Sequence, residues 1–125
     1  AKLNKPISKQ ALKRWFSKKY LEEHPKTYDL FINILNKKPE DHESFLKAYE
    51  LFANHYDDII SIKKIDIKTL VMTGSDDVGS TPEMSKKLVK DLINSTYIEI
   101  QNGKHLCSIE CSDDVSMNIK NFINN

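Results

Sequence analysis

Cysteine is nearly absent from this chain: two residues in 125, Cys107 and Cys111. That is too few to frame a disulfide-stabilised extracellular domain, and it points to a reducing, cytoplasmic setting. No apolar run is long enough to span a bilayer, and no stretch has the make-up of a signal peptide. An excess of charge is missing too. Nineteen basic against 18 acidic residues leave +1, so no net field gathers nucleic acid or an anionic membrane. Internal repeats, low-complexity tracts and long linkers do not occur. With 39% hydrophobic and 30% charged residues, the chain has an ordinary composition for one soluble domain with a modest core. Its start at Ala1 fits either removal of an initiating methionine or a chain cut from something larger.

The most informative stretch is Thr69-Leu-Val-Met-Thr-Gly-Ser-Asp-Asp77. Leu70 to Thr73 predict a buried strand, ended by Gly74, where the backbone turns before two carboxylates. Thr81 is placed to cap a helix whose first turn suits Pro82 and Glu83, with Leu88, Val89 and Leu92 inward and its end near Asn94-Ser95. Thr96 to Ile100 predict a second strand, which runs through Asn102-Gly103 to His105. A strand, a helix and a strand in so short a span make a βαβ unit with parallel strands. Groups just past the carboxyl ends of neighbouring parallel strands meet in one crevice, so Asp77 and His105 converge on one rim. After a loop, Ser112-Asp113-Asp114 is expected to cap a last helix that buries Val115, Ile119, Phe122 and Ile123.

Residues 8–56 predict a small array of helices behind a loose lead-in at 1–7. Ser8 is placed to cap a helix bearing Ala11, Leu12, Trp15 and Phe16 on one face, and Ser17 to start a short one that stops at His24-Pro25. Pro25 opens a helix to about Asn36, with Tyr28, Phe31, Ile32 and Leu35 inward. Lys37-Lys38-Pro39 breaks it. A further helix, from about Glu40 to His55, is expected to bury Phe45, Ala48, Tyr49 and Phe52. Asp57 to Ile62 lead into the first strand. Nine of the 11 aromatic residues lie in this array, as helix packing or as rings facing a ligand pocket.

An aspartate next to a histidine suits general-base chemistry, because the carboxylate fixes the imidazole tautomer and stabilises the imidazolium. The plainer account is a turn carboxylate and an unrelated surface histidine. Asp76 and Asp77 compete for the role, and adjacent turn residues point differently, so one faces the histidine and the other braces the turn. His105, Cys107 and Cys111 lack the second knuckle a zinc site needs, so no metal is expected. The cysteines read as small apolar residues. Cys107 sits too near His105 in sequence to use it readily as a base. His24, His42 and His55 read as bystanders.

Taken together, Leu70-Val-Met-Thr-Gly74-Ser-Asp-Asp77, Thr81-Pro82-Glu83-Met84 and Gly103-Lys-His105-Leu106, with Glu110 shortly after, resemble the C-terminal half of α/β-hydrolases. The branch containing 3-oxoadipate enol-lactonases and small esterases is the most similar. The resemblance implies that Asp77 is the triad acid, His105 the triad histidine, residues 1–66 a helical lid and residues 67–125 the C-terminal βαβα part of the core. It covers nearly all of the chain. Lys68 stands where the family usually has proline. Missing are the oxyanion loop and the nucleophile elbow G-x-S-x-G: none of the three glycines, Gly74, Gly79 and Gly103, flanks a serine in that pattern.

The expectation is an α/β fold that is the C-terminal portion of an ester- or lactone-cleaving serine hydrolase, inactive alone. Neither cofactor, nucleic acid nor membrane is expected as a partner. The full-length parent is expected to take a small-molecule ester or lactone. Two copies are expected to pair through the sheet edge that has lost its neighbour. The alternative is a stand-alone, non-catalytic binding module that keeps a hydrolase-like half-sheet.

Overall fold

A computed structural model describes residues 7–36, 42–54 and 65–125. Within them the order is α1 (Ile7–Trp15), α2 (Lys18–Glu23), α3 (Pro25–Asn36), α4 (His42–Ala53), β1 (Thr69–Gly74), α5 (Pro82–Asp91), β2 (Ser95–Ile100), α6 (Cys107–Glu110) and α7 (Ser112–Asn124). The lead-in through Pro6, the break at Lys37-Lys38-Pro39 and the connector from Asp57 to Ile62 lie outside the described residues, as do Glu40 and His55.

β1 and β2 pair in parallel, from Thr69 opposite Ser95 to Gly74 opposite Ile100. The crossover between them is α5, as the βαβ pattern requires. Thr81 caps it, accepting from the Met84 amide, and Pro82 fills the first turn, where its missing N–H costs nothing. α5 packs on both strands and α7 on β2. Ile100 and Val115 are the buried apolar side chains of this half. Thr73, buried at the end of β1, hydrogen-bonds Ser85 of α5. Lys68, where the resemblance expected proline, donates to the Phe122 carbonyl at 3.2 Å and lies over that ring. It thereby ties the start of β1 to the last turn of α7, where a cation suits the exposed carbonyls.

The helical half centres on α1, whose Ala11 and Leu12 are buried together with Phe16 just beyond its end. Phe16 meets Phe31 of α3 edge to face and stacks on Tyr20 of α2. Burying Leu12 and Phe16 contributes about 1.5–3 kcal/mol each, enough to decide which face of α1 turns inward. Ser17 caps α2, accepting from the Tyr20 amide at 3.1 Å. Pro25 opens α3, as its position after His24 predicts.

Several expectations are corrected. Ser8 lies inside α1 rather than at its cap, and its buried hydroxyl has no hydrogen-bond partner among the described residues. α5 ends at Asp91, and Ser95 already belongs to β2. Leu35, Leu88, Ile119 and Ile123 face solvent more than their helical spacing suggests. The largest departure is α4, where Ala48 is exposed and Tyr49 and Phe52 stand 61% and 78% exposed. The Phe45 side chain lies outside the described residues. Spacing supplied an apolar stripe, but its Tyr49 and Phe52 rings remain largely exposed. Ser112 opens α7 instead of capping it; Cys111 holds the cap position without a side-chain bond.

Candidate functional site

The two strand ends meet backbone to backbone. A methyl placed on Gly74 would lie 2.3 Å from the Gly103 carbonyl oxygen and 2.6 Å from that of Lys104. Only glycine fits that approach, and this is its use here, since neither residue needs a left-handed backbone. The turn after β1 is then laced to the turn after β2. Ser75 and Asp76 donate their amides to the Ile100 and Gly103 carbonyls, and the Asn102 amide donates to Ser75 Oγ. Asn102 takes the left-handed conformation, with φ 59°, that closes the second turn. Asparagine tolerates it better than most residues.

This contact sets Asp77 beside His105. Asp77 is buried, and its Oδ1 accepts the amides of Gly79 at 2.8 Å and Ser80 at 3.0 Å. Its Oδ2 lies 2.9 Å from His105 Nδ1. Burial pushes the Asp77 carboxyl pKa up, but the Ser80 and Gly79 amides and the His105 ring together bring it below its ordinary value. An ionised carboxylate only accepts hydrogen bonds, so Nδ1 carries the hydrogen. The ring then directs Nε2 away from Asp77, and the side chain is 43% exposed. A buried, ionised orienter and an outward ring nitrogen make a base available to a hydroxyl brought to it.

Asp76 takes the other part: it is exposed, and Ser75 Oγ donates to its Oδ1 at 3.1 Å. Cys107 and Cys111 are free thiols, each half-buried. Burial raises the Cys107 pKa and the Asp77 carboxylate raises it further, which opposes a thiolate nucleophile there. No group of three metal-ligating side chains occurs among the described residues. His24 is exposed, stacked on Tyr20 and bonded to the Tyr20 carbonyl. The His42 side chain and His55 lie outside the described residues. Among the described residues no helix is long and apolar enough to cross a membrane.

Glu110, to which sequence reasoning assigns no role, joins the histidine turn to the helical half. Its Oε1 accepts the Ser17 amide and its Oε2 the Lys104 amide. Its place a few residues after the histidine was a signal; its partner in the helical half was not visible.

Two parallel strands, their crossover helix and a rim bearing an aspartate and a histidine make this a partial α/β-hydrolase fold. The enol-lactonase from Burkholderia xenovorans LB400 matches 95% of this chain and 44% of its own, with a TM-score of 0.83 and 21% identity. A thermophilic esterase from Thermogutta terrifontis matches 94% of this chain and 43% of its own, with a TM-score of 0.80 and 20% identity. The chain thus spans less than half the length of either structure. No protein-family model and no curated protein matches it.

Proposed function

We propose that this chain is the acid-and-histidine part of a serine hydrolase that cleaves small-molecule esters or lactones. The supporting observation is the 2.9 Å bond from His105 Nδ1 to a buried Asp77 held by two backbone amides. In this reading a serine outside the chain attacks the acyl carbon. His105 Nε2 takes the serine proton and returns it to the leaving oxygen, while Asp77 keeps the ring in the required tautomer. Residues 1–66 serve as the lid over the acyl pocket, and residues 67–125 as the last strands and helices of the core.

A positioned general base contributes typically ~10²–10⁴-fold, and each oxyanion donor about 10²–10³-fold. Without the nucleophile and those donors, hydrolysis by this chain is negligible. The Asp77–His105 geometry favours this over a stand-alone binding module, which has no use for an oriented base.

The test is to express the reading frame extended upstream of Ala1 and assay it on a panel of esters and lactones. Turnover that disappears in His105→Ala, with a G-x-S-x-G stretch encoded upstream, supports the assignment. Equal turnover in His105→Ala, or a frame that begins at Ala1 with no such stretch, overturns it.

A further inference from the structure

His105 is held from both sides by the helical half. The amide of Leu106 donates to the Trp15 carbonyl at 2.9 Å, and Lys104 Nζ donates to the Lys13 carbonyl at 2.9 Å. Between these bonds sits Glu110, whose Oε1 accepts from the Ser17 amide at 3.0 Å and whose Oε2 accepts from the Lys104 amide at 3.3 Å.

The Ser17 amide explains why a carboxylate is needed. Ser17 caps α2 through its hydroxyl, and Tyr20 occupies the third helical position. In a capping box that third residue is Glu or Gln, and it returns its side chain to the cap amide. Tyr20 carries no such group. Glu110 supplies it from 93 residues away, completing the box across the fold. Its second oxygen takes the amide directly before His105.

Resting on the reading of Asp77 and His105 as an acid–base pair, we propose that Glu110 is a positioning residue for His105. Its carboxylate fastens the histidine turn to the α1–α2 corner, and the imidazole keeps its bond to Asp77 only while that corner is seated. Movement of the helical half is thereby transmitted to the base.

The test uses the 125-residue chain, isotopically labelled, and reads the Nδ1 proton of His105 and the backbone amides by NMR. In Glu110→Ala the Ser17 and Lys104 amides should exchange about tenfold faster or more, since each loses a charged acceptor. The His105 Nδ1 proton resonance should be lost to solvent exchange. The Gly79 and Ser80 amides, held by Asp77 alone, should keep their protection. If the Ser17 and Lys104 amides are freed while the Nδ1 proton persists, Glu110 merely caps α2 and the proposal fails. Should Glu110→Ala not fold, Glu110→Gln decides by the same readings. It keeps the shape, but its NH₂ group turns a donor toward one of the two amides. This outcome is independent of catalysis: failure leaves the hydrolase reading standing, and an inactive extended protein leaves the fastening intact.

Discussion

Gly74 and Gly103 touch through their backbones at the carboxyl ends of β1 and β2, and the spacing of Asp77 and His105 follows from that contact. A side chain at Gly74 would press on the Gly103 and Lys104 carbonyls and part the two turns, whereas one at Gly103 would meet Cys107 and Ile100.

Gly74→Ala should therefore damage the site more than the sheet. Its methyl would meet fixed backbone, 2.3 Å from the Gly103 oxygen, so the turns must part. The expected cost is about 1–3 kcal/mol, as for overpacking elsewhere, with loss of the Asp77–His105 bond. Urea unfolding and the His105 ring proton check the two halves of the statement separately. An unchanged ring proton would show that the contact is not what spaces the pair.

Asp77 should leave a signature in stability against pH. Its folded pKa lies below the ordinary 3.8, so the unfolded chain binds the proton first as acid is added. The contribution is complete above that ordinary value and is lost as pH falls through the folded pKa. Asp77→Asn should lower stability at pH 7 by about 1–3 kcal/mol, the worth of charged hydrogen bonds, and flatten the acid limb. Urea midpoints at neutral and acidic pH measure both.

Cys107 should be a slow nucleophile. Burial and the Asp77 carboxylate both disfavour its thiolate, so near neutral pH an alkylating reagent should modify it more slowly in the folded chain than in urea. Mass mapping of the labelled peptide gives the site. Rapid folded-state labelling of Cys107 would reopen the thiol as a candidate nucleophile.

Much of this architecture is legible in the residues. The parallel pair, the Thr81 and Ser17 caps and the opening of α3 at Pro25 follow from local chemistry: β-branched runs, side-chain acceptors and a fixed proline φ. The choice of Asp77 over Asp76 came from resemblance, and its physical cause lies in the Gly79 and Ser80 amides, which the sequence does not display. The exposure of Tyr49 and Phe52 on α4 departs from the expected burial because an apolar stripe at helical spacing says which face is sticky, never what lies against it. α6 is four residues long, shorter than any periodicity can register. Glu110 escaped a role because a hydrogen bond across 93 positions leaves no local trace.

The open side of β1 carries a prediction about assembly. Among the described residues β1 pairs with β2 alone, so alternate N–H and C=O groups along its other edge lack strand partners. Two copies covering those edges against each other are expected, and equilibrium sedimentation should report a dimer. A monomer at high concentration would exclude that pairing.

The bond from Ser17 to Glu110 also governs the order of events during synthesis. Helices α1 and α2 leave the ribosome before the carboxylate that closes their corner, which is made 93 positions after Ser17. Contacts of such span are slow to form, so α1 and α2 reach their final seat only after the segment bearing Glu110 has been made. A chain stopped short of Glu110 would leave the Ser17 corner without that anchor.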